Sequence, residues 1–456
     1  MSEIIPFKGV LFNPEKVGDL SRVMAPPYDV ISPKLQDELY SRHPNNIVRL
    51  ELGKVNEGDS EGSDRYSRAA SFLHKWLADG ELIRDRRPAI YYYTQTYPLA
   101  GGNELTRKGF IALSRLQDFG KGSIHPHEKT LSGPKADRLR LMQACEANLS
   151  CIFSLYSEPG LGINEMLEET VRGSSPLMSV VDDEGIRNRL WRIDDQRVIA
   201  GISESMEGRP LFIADGHHRY ETALNYRNLM KAKNGNHTGL EPYNFIMMYF
   251  SNMDDQGMTI LPTHRVIHSL KNFDANVFIN ECKKYFDIEE RPFDDRNELE
   301  VRKGFIDRVA VAGKSASAFG LFVRGGNVYR VLTLKAGDMM RKVFGDRIPE
   351  VFKGLDVTVL HSLILNRILG ITQEAQEQQE NIVYVKNCDE AISVGKKDAN
   401  QLVFILNPTR IQQVKAVAEA GLVMPQKSTY FYPKLLTGLV MNILGENTHV
   451  AAPAKV

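Results

Sequence analysis

Phe212-Ile213-Ala214-Asp215-Gly216-His217-His218-Arg219-Tyr220-Glu221-Thr222-Ala223 is the stretch on which the reading of this chain turns. The apolar run from Leu211 to Ala214 predicts a short buried strand, and Asp215-Gly216 predicts a tight turn. A helix pattern follows, with Tyr220, Ala223, Leu224 and Met230 on one face. A strand, a glycine turn and a helix start present unpaired backbone N–H groups and a positive dipole end, which together suit an anion. Cations oppose that dipole, yet His217, His218 and Arg219 fall in or beside the first turn. Asp215 alone fits a helix N-cap, and Gly216 alone fits a left-handed turn. Three basic or potentially basic residues in a row predict a phosphate-sized anion site.

Working outward, 456 residues are enough for two or more domains and a large core. Apolar residues make up 42% and charged residues 25%, the balance of an ordinary globular protein. Lys+Arg and Asp+Glu stand at 57 each, so no global field recruits nucleic acid or an anionic membrane. No run reaches the roughly 18 apolar residues of a membrane span. The start, Met-Ser-Glu-Ile-Ile-Pro, lacks the features of a signal peptide. Cys145, Cys151, Cys282 and Cys388 form neither a C-x-x-C pair nor a zinc spacing, and a reducing cytoplasm is the expected compartment.

Strand-like and helix-like stretches alternate without low complexity, which predicts an α+β (mixed α/β) class. The two prolines of Ala25-Pro26-Pro27-Tyr28-Asp29-Val30 predict a stiff irregular loop. An amphipathic helix is expected over 64–77, and paired strands over 89–95 and 107–114. The loop Ile124 to Thr130 precedes a helix expected from Pro134 to about Ala147. From 268 to 345 the pattern changes to a helix followed by a hairpin around Arg324-Gly325-Gly326-Asn327, read as an inserted subdomain. A helix over 356–369 then opens an α/β stretch, and 424–434 reads as too polar and too proline-bounded for core. The expected organisation is 1–267, 268–345 and 346–456, with the site loops in the first and last regions.

Common catalytic signatures are missing: there is no Walker-type loop, no G-x-S-x-G, no H-E-x-x-H and no G-x-G-x-x-G after a strand. His125-x-His127 with His217 and His218 matches no metal template. An anion site of this kind needs a base and a divalent ion. Glu128, in a proline-stiffened loop, is placed to take a proton from a substrate hydroxyl, and a surface pair with Lys129 is the plain alternative. Asp215 is a candidate ligand for Mg²⁺, directly or through water. Lys427, Ser428, Thr429 and Lys434 are candidates to grip phosphate or carboxylate oxygens.

Ala25 to Val30, His127-Glu128, Asp137-Arg138-Leu139, Phe212 to Tyr220 and Leu261-Pro262-Thr263-His264-Arg265 resemble the bacterial domain-of-unknown-function family 1015 across nearly the whole chain. More remotely, Pro126-His127-Glu128, Asp215 to Arg219, and Gly421 to Pro433 resemble the free serine kinases of the ParB/sulfiredoxin-like superfamily. This resemblance implies a ParB/sulfiredoxin-like core with an additional subdomain. It implies that Glu128 is the base, that Asp215, Gly216, His217, His218 and Arg219 form the phosphate and metal site, and that Asp215 and His218 take part in catalysis. It further implies that Lys427, Ser428 and Thr429 hold phosphate or the substrate's carboxylate, with His127 and Arg265 at the substrate.

The expected function is a kinase making O-phospho-L-serine from free L-serine, with Mg²⁺ and with pyrophosphate, ADP or ATP as donor. The rival expectation is a ParB-like nucleotide-binding regulator without kinase activity. Zero net charge and the lack of a basic stripe speak against DNA as its partner. Sulfiredoxin-like repair would need a cysteine in the phosphate turn, where this chain has His217.

Overall fold

A computed structural model describes residues 3–99, 102–128, 132–425 and 427–445, and of 132–134 the backbone alone. It is α+β, and it divides into two compact units. The first comprises Met1–Pro126, Thr130–Thr259 and Pro433–Val456; the second comprises His127–Lys129 and Ile260–Tyr432. Among the described residues, no helix is long and apolar enough to cross a membrane.

The first unit is built on a mixed nine-stranded sheet. Phe245–Asn252 runs through its middle, parallel to Ile152–Tyr156 and antiparallel to Glu104–Arg115. Its sequence, FIMMYFSN, is apolar for six residues, and all eight positions are buried. A strand covered on both faces demands that continuity rather than alternation. Leu211–Asp215 pairs antiparallel with Ile152–Tyr156 and parallel with Ile124–His125, and its register shifts between Ile213 and Asp215. That irregularity comes just before the chain turns into the helix His217–Lys233, the kind of place where a bulge re-aims side chains.

The C-terminal segment is laced across this same unit. Arg107, 1% exposed, donates to the Pro433 carbonyl, and Gln95 donates to that of Lys434 at 3.0 Å. Thr437 bridges Ala25, Met441 bridges Val10, and Asn442–Ile443 pairs with Ala147–Asn148. These backbone anchors fix where the Lys434 side chain begins.

The second unit has a six-stranded antiparallel sheet, in the order 286–292, 328–334, 318–323, 400–406, 264–268, 382–385. Along Ala318–Val323, Phe319 and Leu321 enter one apolar core while Ala318 and Phe322 enter the other, the two-residue alternation of a sheet packed on both faces. The stretch 268–345 is therefore not a separate subdomain. Its hairpin needs the strand Asn400–Leu406 as neighbour, and Asn400–Leu406 in turn pairs with His264–His268. The expected 346–456 region is likewise divided, since 433–445 belongs to the first unit.

Smaller differences have local causes. The helix expected from Pro134 begins at Ser132, and Glu298–Ala312 and Phe286–Pro292 are further elements within 268–345. The 356–369 helix opens as α-helix at Asp356–Val359 and widens to a π-helix over Leu360–Ile368. The 424–434 segment is less superficial than its polarity suggests. Met424 and Phe431 are core residues, and Ser428 and Thr429 are buried with their hydroxyls hydrogen-bonded.

Candidate functional site

In the first unit the site is a buried cationic cluster around one carboxylate. Asp215 ends its strand as a base to the turn, not as the helix cap. Gly216 is the cap, at φ +92°, and no side chain caps this helix among the described residues. A Cβ at Gly216 would lie 3.0–3.1 Å from the Arg219 guanidinium, so glycine serves both the left-handed backbone and the close approach. His217 is buried and His218 half-buried in the first turn.

Both Asp215 oxygens accept hydrogen bonds from cations. Lys434 Nζ donates to Oδ1 at 2.8 Å, and Arg219 Nη2 donates to Oδ2 at 3.1 Å. Burial would raise the Asp215 pKa, but Lys434 and then Arg219 outweigh it and hold the carboxyl well below the usual carboxylate range. Two cations on one anion leave a net positive charge at the start of a 17-residue helix, reinforcing the dipole. Arg219 Nε is buried and has no hydrogen-bond partner among the described residues.

Arg219 also ties the turn to motifs far away in sequence. Its Nη1 donates to Ser150 Oγ at 3.1 Å and to the Cys151 carbonyl. Ser150 Oγ donates to Glu51 Oε1 at 3.0 Å, and Arg138 Nη1 reaches the Glu51 backbone carbonyl at 2.7 Å. Arg138 lies over the Tyr28 ring at 4.2 Å and donates to Asp137 at 2.7 Å. Burial pushes the Tyr28 phenol up to about 12, against the pull of Arg219 and Arg138. Tyr28, Asp137 and Arg138, noted in sequence as separate motifs, thus brace the turn. Glu51 and Ser150 were not legible as site residues, because each stands in an ordinary local context. Lys434 further lines a cavity of about 400 Å³ whose wall includes Ala25, Pro26 and Pro27.

In the second unit the other candidate residues meet around 127–128 and 427–429. His127 is fully buried, its Nε2 2.8 Å from Thr429 Oγ1 and its ring edge-on to Phe431. The His127 carbonyl accepts from Met424 N at 2.7 Å. Glu128 Oε1 accepts from the backbone N–H of Lys427 at 2.8 Å. Lys427 has φ +57°, a left-handed conformation that costs about 1 kcal/mol or more outside glycine and aims its amide at Glu128. Ser428 donates to the Pro425 carbonyl, and Thr409 donates to the Ser428 carbonyl at 2.7 Å.

Arg265, 1% exposed, donates to the carbonyls of Thr263 and Lys427 and lies 5.2 Å from the Tyr384 ring centroid. Burial lowers its pKa to about 10. The geometry gives His127, Arg265, Ser428 and Thr429 the work of building the loop, and leaves Glu128 as the carboxylate that the loop orients. Lys129, the alternative partner for Glu128, lies outside the described residues, as does Gln426.

The family model described as "Protein of unknown function (DUF1015)" matches residues 4–358. The chain belongs to this family. The DUF1015 match takes in Glu128, the Asp215 turn and Arg265, and stops short of Lys427 to Lys434. Among solved structures, the chain is similar to a conserved hypothetical protein from Pyrococcus furiosus, with 14% identity, a TM-score of 0.29, and coverage of 68% of this chain and 87% of that one. It is also similar to a free serine kinase variant in complex with ADP, with 12% identity, a TM-score of 0.31, and coverage of 68% and 84%. SbnI with a C-terminal truncation, from Staphylococcus aureus, gives 10% identity, a TM-score of 0.32, and coverage of 69% and 82%. No curated protein matches the sequence.

Proposed function

We propose that this protein is a phosphotransferase that converts free L-serine to O-phospho-L-serine. One observation carries the reading: Asp215 holds Lys434 and Arg219 together at the start of the helix His217–Lys233, concentrating positive charge where a phosphate would meet backbone N–H groups. The donor phosphates occupy this turn, with Gly216, His217, His218 and Arg219 around them. The cavity beside Lys434 receives the remainder of the donor, which is pyrophosphate, ADP or ATP. In the reaction the serine hydroxyl oxygen bonds to the terminal phosphorus. The bond from phosphorus to the bridging oxygen breaks, and the hydroxyl proton passes to Glu128.

Asp215 does not fit a divalent ion as a direct ligand. Both its oxygens already accept from cations, and among the described residues no three His, Cys, Asp or Glu side chains gather as a cation site. Mg²⁺ in this reading arrives with the donor phosphates. Phosphorus NMR of the protein with Mg²⁺ and L-serine, offered each donor separately, tests the proposal. Phosphoserine from one donor supports it and names the donor. Silence with all three, together with tight nucleotide binding, would move the assignment to the rival reading, a ParB-like nucleotide-binding regulator without kinase activity.

A further inference from the structure

The second unit contains a cavity of about 400 Å³ lined by none of the residues assigned above to phosphoryl transfer. Its walls include three aromatic rings, Phe344, Phe352 and Tyr384. Thr358 and His361 reach it from where the α-helix Asp356–Val359 passes into the π-helix Leu360–Ile368. The wide turn is visible in the bond from Leu369 N to the Ile364 carbonyl at 2.9 Å, five residues back. Such widened turns are rare and recur at functional sites.

Thr358 is 5% exposed and His361 8% exposed. Thr358 Oγ1 and His361 Nε2 are both buried and have no hydrogen-bond partner among the described residues. A buried polar atom left unpaired is costly, and a ligand that reached these two side chains would remove that cost. The chemistry of that ligand follows from the lining. Burial and Arg265 push His361 down to about 3, so its imidazole is neutral near pH 7 and offers one ring nitrogen as donor or acceptor. A hydroxyl is equally ambivalent. Asn366 and Gln376 add neutral amides, and the charged lining residues, Arg347 and Glu377, are one of each sign. The cavity therefore selects for no net charge.

We propose that this cavity binds an uncharged heteroaromatic molecule of nucleoside size, its ring against the aromatic walls and its polar edge on Thr358 Oγ1 and His361 Nε2. The site goes beyond the serine kinase reading and does not depend on it. The test titrates the full-length protein with adenosine, guanosine, cytidine and uridine, which carry no phosphate for the Asp215 turn. Calorimetry and the ¹H–¹³C signal of the His361 imidazole are both followed. One nucleoside is expected to saturate below millimolar concentration and to shift the His361 signal in the wild-type protein. Its affinity is expected to fall at least tenfold in Thr358→Val, a near-isosteric change, and in His361→Phe. Absence of binding by all four nucleosides overturns the proposal. So does binding that leaves the His361 signal unmoved, whatever the variants do.

Discussion

Lys434 donates to Asp215 Oδ1 at 2.8 Å across 219 residues of chain. The pair has a third member, because Arg219 donates to the other oxygen of the same carboxylate. The side chains are 15%, 20% and 12% exposed for Lys434, Asp215 and Arg219, so solvent screens them little. Removing the anion leaves two buried cations facing each other, whereas removing one cation leaves a matched pair. Asp215→Asn is therefore expected to cost on the order of 2–3 kcal/mol, at or just under the low end of the range for a broken buried ion pair. Lys434→Met should cost clearly less. Equilibrium urea unfolding of the two variants checks the order, and a reversed order would mean that the carboxylate is not the centre of the cluster.

Gly216→Ala is expected to damage the turn in two ways. The φ of +92° strains any residue with a Cβ, and the added methyl would press on the Arg219 guanidinium at 3.0–3.1 Å. The strain alone is worth about 1–3 kcal/mol. Displacing Arg219 should also weaken pyrophosphate binding, measured by calorimetry, by more than the stability loss explains. Undiminished pyrophosphate binding in a folded Gly216→Ala protein would remove Arg219 from the anion site.

Glu128→Gln separates chemistry from architecture. Glutamine keeps an Oε1 that accepts from Lys427 N, so the loop should hold and the melting temperature should stay close to wild type. The variant cannot take a proton. Turnover of L-serine should drop by about 10²–10⁴-fold, the usual worth of a general base, while donor affinity is unchanged. Wild-type rates would show that another group accepts the proton.

How much of this was legible in the sequence depended on distance along the chain. Strand, glycine turn and helix at 211–233 are local, and their pattern was readable residue by residue. The identity of the helix cap was not, because Asp and Gly are both good N-caps and the choice fell to Lys434, whose position is set by anchors at Arg107, Gln95 and Ala25. The supposed subdomain at 268–345 failed for a related reason. Its own helix and hairpin were visible, but the strands at 264–268, 382–385 and 400–406 that complete its sheet are interrupted by other elements. At 356–369 the apolar spacing announced a helix, yet a spacing near 3.6 residues says nothing of the wider turn that presents His361.

Acid should destabilise the unit that contains Ile260–Tyr432. Burial and then Arg265 lower His264 to about 4, and its Nδ1 accepts from Leu406 N at 3.2 Å; His361 is lowered to about 3 by the same two causes. In the unfolded chain both titrate near 6.5. As pH falls through 6.5 the unfolded state gains two protons that the folded state refuses, and stability falls. Asp356 acts the other way. Burial raises it to about 6, so below that pH the folded state holds a proton that the unfolded chain takes up only near 3.8. Two protons against one leave a net loss, on the order of 4 kcal/mol between pH 7 and pH 4. Urea unfolding followed through NMR signals of the strand Asn400–Leu406 measures it, and His361→Phe should make the pH dependence shallower. A midpoint that rises on acidification would show Asp356 outweighing both histidines.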